Sequence, residues 1–396
     1  MKFDVVVIGS GPAGSVTARF AAEGGAKVLM IERRSEIGTP VLCGEGISKK
    51  VEEFGVLEGT RWIASSMDGA NIYSPDGTCV TMDAEHAGNE TGHVIYRDIF
   101  DQELAKSAAN AGAEIWMDAR ATGLIKKDGK IVGVQIEQYG EEIEVECDVV
   151  VGADGVESKV GRWAGINTTL DPCDLETCAQ YTLTGVDVHE GYCDFYLGHE
   201  IAPGGYIWVF PKGKDVANVG MGILASLSSP GQVKELLDEF ISCHPEIAKG
   251  QPVRFLTGAV PVAKPLEELA VDNVVLIGDS ARQVDPITGG GLMASIEAGK
   301  ACGEVIAEAV ETGDFSEEFL KSYIDRVGTL YKKLKRNYVV KEIMLDMDDK
   351  TFNMLAHSLK DYKFEELSTL SLVSALVKKH PSLLVRLKPL LKVAKM

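Results

Sequence analysis

No Cys-x-x-Cys pair occurs in the 396 residues, which removes the tetrathiolate zinc and iron–sulfur sites that such pairs build. The eight cysteines, at positions 43, 79, 147, 173, 178, 193, 243 and 302, are scattered rather than spaced as a secreted disulfide framework. Reduced thiols are therefore expected. No stretch reaches the roughly 18 to 20 consecutive apolar residues of a membrane span. The opening Met1-Lys2-Phe3-Asp4 carries neither a basic region nor a cleavage site, so a cytoplasmic chain without a leader is expected. Cations are also scarce: 40 Lys and Arg stand against 59 Asp and Glu, a net charge of −19 that disfavours nucleic acid as a partner. Repeats and low-complexity linkers are missing too.

What is present begins at once. Residues 4–14 run from four apolar residues into a G-x-G-x-x-G turn, Gly9, Gly11 and Gly14, and a helical pattern follows over 15–23. A second apolar run at 27–31 ends on Glu32. This is the strand–turn–helix–strand–acid layout of a dinucleotide site. Gly9 permits the tight turn, Gly11 lets backbone approach a pyrophosphate, and Gly14 lets helix and strand pack closely. The helix N-terminus offers free N–H groups and about half a positive charge to phosphates. Glu32 can accept hydrogen bonds from ribose hydroxyls.

Two later stretches argue for FAD rather than a nicotinamide. Residues 273–279 read as a buried strand ending in Gly278-Asp279, followed by a Gly289-Gly290-Gly291 turn and a small-residue helix over 293–309. Asp279 at a strand end can bond a polyol such as ribitol, and the glycines open a second set of N–H donors. Upstream, residues 147–155 repeat the strand-then-Gly-x-Asp-Gly pattern through Asp154-Gly155. Together the three stretches resemble the flavoproteins typified by p-hydroxybenzoate hydroxylase. By that resemblance Ala13 belongs to the dinucleotide turn, Asp279 holds the ribitol, and Gly291 and Leu292 face the flavin ring. Arg97 reaches FAD from the start of a helix, and a strand over 114–122 passes its backbone at Ala121 beside the adenine.

The middle of the chain changes character. Alternating runs at 178–184, 193–197, 205–211 and 216–224, with a turn at 212–215, predict an antiparallel sheet. Helices are expected at 232–243 and 317–335. Tyr206, Trp208 and Phe210 stand at i, i+2 and i+4, so a strand places all three on one face. The aromatic alternation by itself is compatible with plain sheet core. The full run P-x-x-Y-x-W-x-F-P over 203–211 resembles the signature of geranylgeranyl reductases, flavoenzymes that saturate isoprenoid chains. Residues 43–48, Cys-Gly-Glu-Gly-Ile-Ser, look like the cysteine loop that archaeal members place over the flavin.

The resemblance implies an α/β fold: a Rossmann-like FAD-binding domain from 1–165 and 270–325, a mixed or antiparallel sheet substrate domain over 166–269, and a C-terminal helical cap over 326–396. It implies FAD as cofactor, with Cys43, Gly44 and Gly46 beside it, and an isoprenoid ether lipid as substrate. Tyr206, Trp208 and Phe210 would form the wall against which the lipid lies, and cation–π attraction could steady charge on the alkene. Cys43 would position or supply the proton. The electron donor is expected to be NADPH or a reduced ferredoxin, since no second glycine triplet marks a nicotinamide domain. A flavin monooxygenase or halogenase on the same frame, and a non-catalytic FAD-containing lipid carrier, remain alternatives. Residues 367–396 carry six basic residues and no acidic one. They read either as helices packed on the body or as a peripheral contact with anionic lipid.

Overall fold

A computed structural model describes residues 1–55, 57–83 and 92–360. The apolar runs of the sequence meet in a six-stranded sheet, in the order Ala270–Val271, Val274–Leu276, Val149–Gly152, Val5–Ile8, Val28–Ile31, Glu114–Trp116. Val5 pairs with Val28 on one side and Val149 on the other, both in parallel. These strands are valine-rich and buried on both faces, as parallel strands covered by helices must be.

The helix Pro12–Glu23 leaves the first strand through Gly9 and Gly11, with Pro12 at its first position, where a missing N–H costs nothing. Gly9 has φ +108, and a side chain there would strike the carbonyl of Ala153. The long helix Leu292–Thr312 packs against it. Gly299 and Gly303 make that approach possible: a Cβ on Gly303 would stand 2.7 Å from both Phe20 Cβ and the Thr17 carbonyl.

A seven-stranded sheet holds the middle of the chain, in the order Gln251–Pro261, Leu175–Thr184, Val216–Leu224, Tyr206–Pro211, Tyr192–Leu197, Gly69–Tyr73, Cys79–Asp83. It is antiparallel except where Tyr192–Leu197 meets Gly69–Tyr73. The last two strands come from within residues 1–165, the segment expected to belong to the FAD-binding domain. Their short apolar runs carried no strand signal of their own. Two three-stranded sheets complete the fold, one of Glu141–Glu146, Lys130–Gln138 and Ala119–Lys127, the other of Gly46–Ile47, His93–Ile95 and Ile63–Ser66.

Two expected elements are corrected. The strand over 114–122 is two strands in different sheets. Asp118, at φ +50, turns the chain out of the parallel sheet, and the Ala119 N–H then donates to the Glu32 carbonyl at 2.8 Å. The helix over 317–335 is three, Glu317–Lys321, Tyr323–Arg326 and Gly328–Leu345. The breaks let buried Tyr323 and Tyr331 both reach Gln283, which donates to their hydroxyls at 2.7 and 2.9 Å. A final described helix spans Asp349–Leu359, and the basic segment 367–396 lies outside the described residues.

Candidate active site

The glycine turn opens on a cavity of about 570 Å³. Gly9, Gly11, Glu32, Arg97, Ala121 and Asp279 all line it, although they come from five stretches of chain. A Cβ built on Gly11 meets nothing within 4 Å, so this backbone faces open space where the first helix begins. Ala13 and Gly14 lie behind the turn rather than on the cavity wall. Ala13 is buried, and a Cβ on Gly14 would overlap the Gly9 carbonyl.

Glu32 is held by Ser10, whose hydroxyl donates at 2.7 Å, and by the Arg34 N–H at 3.1 Å. Arg33, Arg34, Arg120 and Lys159 add positive charge to the walls. At the far end burial raises the Asp279 carboxyl above its ordinary range, with Arg97 pulling against it. Buried Asp154 Oδ1 has no partner among the described residues. Acceptors for hydroxyls thus share the cavity wall with backbone amides and cations. This donor set fits FAD, with its hydroxyl-bearing ends and central pyrophosphate.

Arg97, at the start of the helix Arg97–Asn110, belongs to a buried ion pair. Its Nε donates to Asp101 at 2.6 Å within the interior. Burial works against its charge, but Asp101 and then Cys43 outweigh that and raise its pKa.

Cys43 sits half-buried, next in the chain to Leu42 of the cavity wall, and packs on the buried cluster that includes Leu292 and Ile47. Its sulfur accepts from the Glu45 N–H at 3.2 Å. Burial pushes the thiol up while Arg97 pulls it down, and the net shift is upward, so the group is a neutral thiol. Gly46 opens the short strand below it and pairs with Val94. Gly44 lies flat on the aromatic strand, where a Cβ would stand 3.3 Å from Phe210 and 3.4 Å from Trp208 Nε1. Gly291 adjoins Asp279, 3.2 Å from its Oδ1 by the same measure.

A second cavity, of about 200 Å³ and mainly apolar, lies between the seven-stranded sheet and the C-terminal helices. Phe195, Leu197, Tyr206, Ile287, Met344 and Phe352 are among its walls. The Tyr206 hydroxyl donates to the Thr288 carbonyl, one residue before the triple glycine, and so ties this cavity to the cofactor loop. Trp208 and Phe210 share a face with Tyr206, as expected, but they do not line this cavity. They are 8 % and 4 % exposed and lie under the cysteine loop, with Trp208 seated over Gly220.

Sequence reasoning missed the residues that join these parts. Gln180 accepts from Trp208 Nε1 at 2.7 Å and donates to the Cys43 carbonyl at 3.1 Å. Glu45 is 1 % exposed and adopts φ +74, a region costly for a residue with a side chain. Its carboxylate accepts from Lys212 Nζ and Asn218 Nδ2, each at 2.6 Å, and from the Arg97 N–H at 2.9 Å. Position inside the cysteine loop was the one sequence signal for Glu45. Nothing local marked Gln180, Lys212 or Asn218.

The comparisons agree with this geometry. Residues 2–172 match the model of an FAD binding domain, and residues 174–260 match that of a geranylgeranyl reductase catalytic domain. A digeranylgeranylglycerophospholipid reductase of Methanosarcina mazei is 46% identical, covering 99% of this chain and 97% of its own. One from Methanothrix thermoacetophila is 44% identical over 98% of this chain and 100% of its own. The crystal structure of a geranylgeranyl bacteriochlorophyll reductase-like protein from Thermoplasma acidophilum superposes with a TM-score of 0.92 at 40% identity, covering 98% of this chain and 99% of that one. A flavin-dependent brominase shares the fold alone, with a TM-score of 0.70 at 19% identity, covering 96% of this chain and 100% of that one. FAD is the cofactor, and the chain belongs to the family of digeranylgeranylglycerophospholipid reductases.

Proposed function

We propose that this protein reduces the isoprenoid double bonds of archaeal-type ether lipids. The observation that carries the reading is the adjacency of two unlike cavities. One has the donor set of a dinucleotide and the other is apolar; the Tyr206–Thr288 hydrogen bond fixes the wall of the second to the start of the triple glycine, whose last member, Gly291, adjoins Asp279 on the wall of the first. Reduced FAD, when bound, supplies a hydride to one alkene carbon. The chain's own residues do the rest. Gly9, Gly11 and Glu32 bind the adenosine and pyrophosphate side, assisted by Ala13 and Gly14 behind the turn. Asp279 takes the ribitol hydroxyls. Arg97, Ala121, Gly44, Gly46, Gly291 and Leu292 shape the remaining contacts.

Tyr206 orients the lipid segment in the apolar cavity. Trp208 and Phe210 act one layer below, fixing the cysteine loop through Gln180 and Gly44. An isolated alkene has no carbonyl to polarise, so it must be held in contact geometry while a hydride and a proton arrive at its two carbons. Cys43, a neutral thiol at the joint, positions the alkene or the proton.

We infer the electrons to come from NADPH or a reduced ferredoxin docking transiently. No helix among the described residues is long and apolar enough to cross a membrane. A lipid substrate then requires the protein to meet the bilayer from its surface, and the basic segment 367–396 has the charge for that contact.

The test is product mass. Incubated anaerobically with dithionite and a geranylgeranyl ether lipid, the FAD-loaded protein is expected to add two hydrogens per double bond. Incorporation of oxygen under air, with no hydrogenated product without it, would instead establish the monooxygenase or halogenase reading that the shared fold leaves open.

A further inference from the structure

Glu176 is a buried carboxyl that the chemistry above does not use. It lies on the strand Leu175–Thr184, is 6 % exposed, and lines the apolar cavity. Among the described residues its side chain makes no hydrogen bond. Lys341 is a cation on the same wall, but it does not hydrogen-bond Glu176: two of its N–H groups donate to the Cys173 carbonyl at 3.0 Å and the Val262 carbonyl at 2.9 Å, and its charge also stands 3.5 Å from Asp174 Oδ1. A buried carboxylate that accepts no hydrogen bond is costly, so burial favours the neutral acid.

Its position is equally specific. Glu176 pairs across the sheet with Val260, whose Cγ1 lies 3.4 Å from where a Gly289 Cβ would stand. On its other side a Cβ on Gly222 would lie 2.8 Å from Glu176 Oε2, and Gly222 pairs with Tyr206. Two residues along the same face, Cys178 has its thiol pushed well up by burial, then by Glu176 and by Cys43. Cys178 is thus a neighbour of both Glu176, on the apolar cavity, and Cys43.

We propose that Glu176 is the catalytic acid that protonates the alkene. Its O–H bond breaks as a C–H bond forms on one alkene carbon, while the hydride from the reduced cofactor forms the C–H bond on the other. The carboxylate left behind regains a proton from solvent before the next double bond. Cys43 is then a positioning residue. This assignment rests on the reductase reading above. The surroundings suit it: burial, partly offset by Lys341, raises the Glu176 carboxyl to about 7, near the optimum for a general acid at neutral pH. The other titratable groups on the cavity are His199 and Tyr206.

The test uses the FAD-loaded full chain and E176Q, which keeps the shape and removes the acid. The variant is expected to bind FAD and lipid as the wild type does, the lipid followed by its perturbation of the flavin spectrum. Anaerobic reoxidation of its reduced flavin by lipid should slow by about 10²- to 10⁴-fold. The wild-type rate should fall as pH rises through about 7, and the residual rate of E176Q should lack that limb. Independently of turnover, infrared difference spectra of the flavin-free protein should show a protonated-carboxyl band at pH 6 that is lost by pH 8 and missing in E176Q. Wild-type reoxidation by E176Q, weakened lipid binding with an unchanged rate, or an ionised Glu176 at pH 6 would each overturn the assignment. Failure of the wild type itself to be reoxidised by the lipid would instead sink the reductase reading.

Discussion

Cys43 shows how a single residue is placed by contacts its own sequence neighbourhood does not reveal. Its carbonyl is held by Gln180, its loop by the ion pair of Glu45 with Lys212, and its thiol faces Arg97. The Cys-Gly-Glu-Gly stretch is legible as a loop. Its partners, 137 to 174 residues away in the chain, are not, because an inward-facing Gln or Asn on a strand looks like any other polar residue until the strands pair. Glu176 is the same case: it stands two residues ahead of the alternating run at 178–184 and carries no local mark of the buried strand position it occupies. Replacing Cys43 by Ser retains the loop bonds and the small volume but exchanges a polarisable thiol for a hydroxyl. The variant should keep its FAD, as judged by the bound-flavin spectrum, and lose roughly ten- to a hundredfold in alkene reduction, on the order of 1.4 to 2.7 kcal/mol in the barrier. Full turnover by Cys43→Ser would remove this residue from the mechanism.

Among the elements, the pairing of Pro12–Glu23 with Leu292–Thr312 does most to shape the cofactor site, because it brings Gly11, on the cavity wall, together with Gly291, which adjoins Asp279 of that wall, from distant parts of the chain. The first helix was readable, since a glycine triplet, a proline and an acid fix its start and its sheet. The second helix was readable as a helix from its small residues. That it packs on the first was not, although Gly299 and Gly303 at i and i+4 lie on one face. The segments that misread, 114–122 and 317–335, share a cause. Each has an unbroken local pattern interrupted by a tertiary demand: Asp118 turning beside Glu32, and Tyr323 and Tyr331 converging on Gln283. If the helix pair is as close as it stands, Gly303→Val should destabilise the protein by about 1 to 3 kcal/mol through overpacking against Phe20 and Thr17. Denaturant unfolding of the flavin-free chain checks this, and FAD content should fall with it. An unchanged midpoint would mean that the helices have room to separate.

At the scale of the molecule, a net charge of −19 coexists with a cavity lined by Arg33, Arg34, Arg97, Arg120 and Lys159. These cations can meet a pyrophosphate inside the cavity, while the acidic balance of the whole chain discourages other polyanions. The cavity wall draws on stretches from Gly9 to Asp279, so binding FAD requires the discontinuous fold to be assembled. An unfolded chain offers no such wall. FAD should therefore stabilise the whole fold by mass action, by about 2.7 kcal/mol at a hundred times its Kd. The thermal midpoint of the flavin-free protein is expected to climb steadily with added FAD. Glu32→Ala removes a charged acceptor held at 2.7 Å by Ser10. A hydrogen bond to such a group is worth about 1.5 to 3 kcal/mol, so the same rise should need roughly ten- to a hundredfold more FAD. Asp279→Ala should act likewise from the other end of the cavity, although its removal leaves the glycine turn untouched. Midpoints that ignore FAD, or a Glu32→Ala curve that overlays the wild type, would show that the acid at the end of the second strand does not grip the cofactor.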